Sequence, residues 1–173
     1  MPEGVEEYRE PFCGGGGIFF GLNPTPLIKK RWINDKNPDL MKVYTAFRDR
    51  PQEFIEACRK IDPPVDGEEE VATRGTGKLY NKRLGEVFES FKRDETMDQA
   101  LRYFFLNRTV WAGRVNFDPD FDSRLYYSNP AGWNIVARPN YLEQIAEHIA
   151  GTTITAKPYE EVMMADGDNV WIY

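Results

Sequence analysis

Tyr8-Arg9-Glu10-Pro11-Phe12-Cys13-Gly14-Gly15-Gly16-Gly17-Ile18-Phe19-Phe20 is the stretch on which the fold turns. Tyr8 to Phe12 predicts a short strand, the glycine run a loop, and Ile18-Phe19-Phe20 the apolar start of a helix. Four glycines let a backbone pass close to a ligand, and the N-terminus of a following helix offers free N–H donors. Further along, Arg31-Trp32-Ile33-Asn34-Asp35 predicts a second strand. Asn37 can then N-cap a helix with Pro38 in its first turn, and Leu40, Val43, Tyr44 and Phe47 recur at helical spacing. Asp35 lies eighteen residues beyond Gly17, where an acid at a strand end accepts hydrogen bonds from ribose hydroxyls. The pattern is that of a nucleotide-type site. The glycines also fit a loose dinucleotide fingerprint, Gly15-x-Gly17-x-x-x-Gly21, whereas no Gly-Lys-Ser/Thr follows as a triphosphate loop requires.

Outward from this unit, Asp62 to Gly77 is rich in proline, glycine and glutamate and reads as a linker or mobile loop. Helices are expected over about Asn81 to Lys92 and Met97 to Leu106, followed by an aromatic, turn-rich stretch from Trp111 to Trp133 without clear period. A helix over Tyr141 to Ala150, a strand over Thr152 to Ala156 and an apolar strand over Asn169 to Tyr173, of the kind buried in parallel sheets, complete the pattern. The reading is α/β: residues 1–61 and 138–173 build one sheet unit, and residues 62–137 are a helical insert. Sheets of this class bind ligands beyond the carboxyl ends of their strands.

Composition narrows the chemistry. Hydrophobic residues make up 41% of 173, enough to fill a core, and no apolar run approaches a bilayer span. With no basic signal-peptide start, the expected compartment is the cytoplasm, without a membrane partner. Two cysteines and one histidine exclude a disulfide framework and a Cys/His zinc cluster, so no metal is expected. His148 falls on an amphipathic helix and reads as structural. The net charge of −6 is unevenly spread: Thr73 to Asn116 holds nine basic and five acidic residues. A locally basic insert on an acidic protein suggests a polyanionic partner.

Taken together, the ordered motifs resemble the Dam-type DNA adenine-N6 methyltransferases. Glu10-Pro11-Phe12-Cys13-Gly14-Gly15-Gly16-Gly17 is similar to that family's E-P-F-x-G-G-G cofactor loop. Asn34-Asp35-Lys36-Asn37-Pro38-Asp39-Leu40 is similar to its N-D-x-N-P-x-L motif, and Ala100 to Asn107 with Arg108-Thr109 resembles its A-x-x-F-x-x-L-N-x-T segment. Gly167 to Tyr173 resembles the strand that delivers the family's D-P-P-Y. Pro158-Tyr159 stands where the family usually carries Asp-Phe beside the cofactor adenine. Gly113-Arg114-Val115-Asn116 shortens its G-x-x-R-x-N, and Ser128-Asn129-Pro130-Ala131-Gly132 approximates its F-N-x-P-x-G.

The resemblance implies a Rossmann-like S-adenosylmethionine-dependent core with an incomplete sheet and a helical DNA-recognition insert. It implies S-adenosylmethionine as cofactor, held by Glu10, Pro11, Phe12, Gly14, Gly15, Gly16, Asp35 and Tyr159. Double-stranded DNA is the implied partner, met by Asn107, Arg108, Trp111, Arg114 and Asn116. Arginine can reach guanine or phosphate and asparagine can pair with adenine, although an ordinary polar turn is the alternative for both. Trp111 and Phe117 are wedges between bases or, preferably, anchors of the loop. Lys78 and Lys82 contact phosphates or lie on a solvated helix face.

In such enzymes the target adenine is flipped out of the duplex, and D-P-P-Y aligns its amine on the methyl group. Here D-P-P-Y is expected one residue beyond Tyr173, and the family's N-terminal tryptophan, glycine and lysine motif would begin before this chain does. The chain by itself is therefore expected to hold no catalytic residue and to be inactive, with an exposed sheet edge that favours self-association. The alternatives are a non-catalytic module that binds DNA or S-adenosylmethionine, and a nicotinamide-dependent oxidoreductase, which leaves the basic insert unexplained.

Overall fold

The computed structural model describes residues 3–22, 28–61, 70–72, 79–92, 95–109, 115 and 130–173. The chain divides into two compact units, one of residues 1–51 with 143–173 and one of residues 52–142.

The first unit is built on a parallel sheet of β1 (Glu7–Glu10), β2 (Lys30–Asn34), β5 (Thr153–Thr155) and β6 (Val170–Ile172), in the order β5-β2-β1-β6. Glu7 lies opposite both Lys30 and Val170, and Trp32 opposite Thr153. The chain runs from β1 outward to β2 and β5, then returns to the other side of β1. The strand order thus reverses at β1, the kind of position where open α/β sheets place ligands beyond the carboxyl ends of their strands. The α/β class and the parallel sheet agree with the sequence reading.

β1 departs from an ordinary central strand because Glu7, Tyr8, Arg9 and Glu10 are all buried. Burying charge is tolerated only when each group is matched, and the two-residue period sorts these four onto opposite faces. On one face the Arg9 guanidinium donates to Glu7 at 2.6 Å and to the carbonyls of Val162, Ala165 and Asp166. It thereby satisfies the carboxyl end of α6 (Tyr159–Met163) and the turn after it. Gly167 follows because a Cβ there would overlap the Arg9 guanidinium. On the other face the Tyr8 hydroxyl donates to Glu10, and the Phe19 N–H also reaches that carboxylate. Burial nevertheless pushes the Glu10 carboxyl above the ordinary glutamate range, and these hydrogen bonds only partly offset it.

α1 (Pro38–Asp49) begins as its sequence requires: the Asn37 side chain accepts from the N–H groups of Asp39 and Leu40, with Pro38 in the first turn. It buries Met41, Val43, Tyr44, Ala46 and Phe47; Leu40, expected among them, is only half-buried. Arg31 donates from β2 to the carbonyls of His148 and Ala150, closing the end of α5 (Tyr141–Ile149). His148 donates from Nε2 to the Phe19 carbonyl at 2.8 Å and packs edge-on against Phe19. That is the structural role expected of it.

The second unit gathers around an aromatic cluster. α2 (Pro51–Arg59) supplies Phe54, and α4 (Thr96–Thr109) supplies Phe104 and Phe105. Trp133, from the 3-10 helix Pro130–Ala137, packs edge-on against both α4 rings. α4 buries Ala100, Leu101, Tyr103, Phe104, Phe105, Leu106 and Thr109, with its polar residues Asp98, Gln99, Arg102, Asn107 and Arg108 only half-buried. α3 (Lys82–Ser90) contacts α4, with the Arg102 guanidinium 4.2 Å above the Phe88 ring. Among the described residues no helix is long and apolar enough to cross a membrane.

Three expectations need correction. The helix expected from Ile18 is only a 3-10 turn, Phe19–Gly21, and Leu22 after it is already extended. The stretch read as linker contains β3 (Glu70–Ala72), paired antiparallel with β4 (Leu79–Asn81); three-residue strands are too short to carry a period. β6, expected to be buried, is half-exposed, since it pairs with β1 on one side only among the described residues.

Two measurements probe β1. Arg9→Met leaves the Glu7 carboxylate buried without its cation and should lower unfolding free energy by about 3–5 kcal/mol in urea titrations. For Glu10, the folded state keeps a proton to higher pH than the unfolded chain, so it binds more protons in that window. Its contribution to stability is therefore lost as pH rises from the ordinary glutamate range through the raised folded value. Glu10→Gln should remove that part of the pH slope, read as the wild-type minus variant difference across a pH series.

Candidate functional site

Because β1, β2, β5 and β6 are parallel, their carboxyl ends share one edge, and four segments meet there: Pro11 to Gly17, Asn34-Asp35, Ala156 to Tyr159, and Tyr173. The glycine loop leaves β1 in a tight turn. Gly16 N–H donates to the Cys13 carbonyl at 2.7 Å, and Phe20 N–H donates to the Gly16 carbonyl at 2.9 Å. Gly14 and Gly16 take positive φ of 45° and 71°, a region costly for residues with a Cβ. Gly16 is also held by space, since a Cβ would come within 2.7 Å of the Phe20 ring.

The Gly14 peptide is gripped from both sides. Its N–H donates to Asp35 Oδ2 at 3.0 Å, and its carbonyl accepts from the Tyr44 hydroxyl at 2.7 Å. Asp35 Oδ1 takes the N–H of Asn37 at 2.9 Å, which ties the start of α1 to the same carboxylate. A carboxylate offers about four acceptor positions, so half-buried Asp35 retains capacity for further donors. The outer side of the loop is open: Cβ atoms at Gly14, Gly15 or Gly17 would meet nothing within 4 Å.

Two aromatic rings flank the opening. Phe12 is 65% exposed and Tyr159 42% exposed, with ring centroids 4.9 Å apart and planes inclined by 35°. A planar group needs roughly twice a stacking distance to enter between two rings, so this pair accepts one on an outward face. Cys13, buried between β1 and the loop, has its thiol pushed well up by burial and then by the negative charges of Asp35 and Glu10. It stays protonated and is a poor nucleophile.

Asn34 underlies the arrangement. Fully buried, its Nδ2 donates to the carbonyls of Pro11 and Lys157, both at 3.0 Å, and its Oδ1 accepts from the Thr155 hydroxyl at 2.7 Å and the Lys157 N–H at 2.9 Å. These are the four hydrogen bonds an amide side chain can make. Trp32 Nε1 donates to the Thr155 hydroxyl, which leaves the hydroxyl proton for Asn34.

The residues expected to hold a cofactor, Glu10, Pro11, Phe12, Gly14, Gly15, Gly16, Asp35 and Tyr159, thus come together at one edge. Glu10 lies beneath the loop, engaged with Tyr8 and Phe19, and positions it from below. Pro11 takes part through its carbonyl. Asn34 and Tyr44 carry functional contacts that sequence reasoning did not assign; Asn34 lay within a quoted motif, and Tyr44 was read as a packing residue of α1. Of the residues expected to meet DNA, Asn107 and Arg108 are half-buried on the last turn of α4. Arg108 buries its Nε without a hydrogen-bond partner. Lys82 opens α3, and its side chain lies outside the described residues, as do Lys78, Trp111, Arg114 and Asn116.

Comparison with known proteins places the chain in a family. The chain is 26% identical over its full length to the type II methyltransferase M1.LlaDCHI of Lactococcus lactis subsp. cremoris, of which the match covers 57%. It is 30% identical over 73% of its length to the type II methyltransferase M.MjaIII of Methanocaldococcus jannaschii, covering 44% of that protein. Over 98% of its length it is 25% identical to a DNA adenine methylase of Vibrio cholerae, covering 55%. The chain spans about half the length of the curated relatives it matches. The sequence model described as D12 class N6 adenine-specific DNA methyltransferase matches residues 1–173, and the chain belongs to that family.

Proposed function

We propose that this chain is the cofactor-binding and DNA-recognition part of an enzyme that transfers a methyl group from S-adenosylmethionine to adenine N6 in duplex DNA. The observation that carries the reading is the Gly14 peptide, clamped between Asp35 and Tyr44 with open space outside the loop. The donor set fits an adenosyl group. Asp35 has acceptor capacity for ribose hydroxyls, and the exposed faces of Phe12 and Tyr159 suit a purine. The glycine backbone admits close approach of a polar tail. When bound, S-adenosylmethionine supplies an electrophilic methyl group on a sulfonium sulfur.

The chain's own residues bind and orient rather than react. Asp35 joins two tasks, since the carboxylate that accepts ribose also fixes the Gly14 N–H and the first turn of α1. Glu10 holds the loop from below, and Cys13 remains a neutral thiol. Residues 62–137 are proposed as the target-recognition insert, with Asn107, Arg108, Trp111, Arg114, Asn116, Lys78 and Lys82 toward DNA. The excess of basic residues between Thr73 and Asn116 supports a polyanionic partner. A flipped base is required because the exocyclic amine is out of reach in the stack.

Calorimetry should detect binding of S-adenosylmethionine and none of NAD, and a chain extended through D-P-P-Y and the remaining strands, given tritiated S-adenosylmethionine and unmethylated duplex, should place its label on N6-methyladenine. Binding of NAD alone, or label on cytosine, would overturn the reading. Asp35→Ala loses charge-assisted bonds to ribose, about 1.5–3 kcal/mol each, so affinity should fall at least about tenfold. Unchanged affinity in a variant with normal circular dichroism removes Asp35 from the site. In the insert, Arg114→Ala should weaken binding to duplexes that carry the target sequence, whereas Arg93→Ala should mainly lower the salt slope, by about one. Equal loss on every duplex would reduce Arg114 to a phosphate contact.

A further inference from the structure

We infer that Asn34 is a positioning residue that sets the spacing of the two aromatic walls of the adenosine site, the Phe12 wall just beyond β1 and the Tyr159 wall beyond β5. The inference rests on the cofactor reading above for its binding consequence, and on geometry alone for its structural part.

Asn34 sits on β2, between the strands that carry the two walls. The backbone groups it holds lie immediately before the rings: the Pro11 carbonyl precedes Phe12, and the Lys157 peptide precedes Pro158-Tyr159. Each wall receives one Nδ2 donor bond, and the β5 side is also held through Oδ1 by the Lys157 N–H and the Thr155 hydroxyl. Past the end of β1 the Cys13 N–H still donates to the Asn34 main-chain carbonyl at 2.9 Å, just after Phe12, and the Asn34 side chain adds the bonds to the peptide groups immediately before the two rings. Only one amide orientation satisfies all four partners, because two are carbonyl acceptors and two are donors. The rings themselves are largely exposed and touch each other, so their placement depends on the backbone beneath them.

A carboxylate at this position has no proton to give two carbonyls, whereas a carboxylic acid has one. Asn34→Asp should therefore act as a pH-dependent switch of the walls: protonated and wall-holding in mildly acidic solution, ionised and wall-releasing in mildly alkaline solution. The charged groups on the same strand ends, Glu10, Asp35 and Lys157, are present in the wild type too, and its own profile subtracts them.

Two readouts test this. By NMR of the ligand-free protein, ring-to-ring cross-relaxation between Phe12 and Tyr159 should persist at both pH values in the wild type. In Asn34→Asp it should vanish on the alkaline side and return on acidification. By calorimetry, the variant's affinity for S-adenosylhomocysteine should be at least about tenfold weaker on the alkaline side than on the acidic side, relative to the wild-type change. Ring contacts and affinity that follow the wild type in a folded variant would overturn the inference. Wild type that fails to bind while the ring contacts still switch would refute the cofactor reading and leave Asn34 as the wall spacer. If Asn34→Asp does not fold at either pH, Thr155→Val removes one of the bonds to Oδ1. It should weaken affinity several-fold, with Thr155→Ser restoring it, and unchanged affinity in Thr155→Val would overturn the inference.

Discussion

Charge buried in the central strand is the constraint from which the rest of the first unit follows. Glu7, Arg9 and Glu10 lie in β1 with almost no access to water, and an unmatched charge there would cost several kcal/mol. Matching them shapes the neighbourhood. Arg9 needs more acceptors than Glu7 provides, so the last turn of α6 and the backbone after it present their Val162, Ala165 and Asp166 carbonyls to the guanidinium. Glu10 needs donors, and draws in the Tyr8 hydroxyl and the Phe19 N–H just beyond the glycine loop. One face of β1 therefore anchors the approach to β6, and the other anchors the segment that leaves the loop.

The same logic recurs with arginines as helix stops. Arg9 meets the end of α6 and Arg31 the end of α5, each from a strand, while Arg48 in α1 donates to the Thr152 carbonyl just ahead of β5. The planar guanidinium offers several donors in a fixed fork and suits clustered carbonyls better than an ammonium does. These contacts order the connections that lead into the two outer strands, β5 and β6, without lengthening them.

At the carboxyl edge the problem is geometric rather than electrostatic. A ligand site there needs backbone that approaches closely yet does not drift, and glycine supplies the first property at the expense of the second. Asp35, Tyr44 and Asn34 restore the second by holding individual peptide groups: both sides of Gly14, the carbonyl of Pro11 and the peptide of Lys157. The loop is permissive in sequence and fixed in place. Such preorganisation lowers the cost of ordering the site when a ligand arrives.

Local signals in the sequence determined what local physics controls. The glycine run, the Asn37-Pro38 cap and the helical spacing through Phe47 each act within one or two elements, and the structure shows the loop, the cap and a helix that buries Val43, Tyr44 and Phe47, with Leu40 only half-buried. Where the signal was short or depended on distant partners, tertiary structure decided. Ile18 to Gly21 has a helix-like pattern, but the Phe19 N–H goes to Glu10 and the Phe19 carbonyl to His148, and the segment makes only one 3-10 turn. Tyr44 reads as packing, and its hydroxyl instead reaches Gly14. Asn34 gives no local sign of its role, because the peptide it grips at Lys157 is 123 residues away. Only the parallel pairing of β2 with β1 and β5 brings those strand ends together, and no spacing along the chain encodes that meeting.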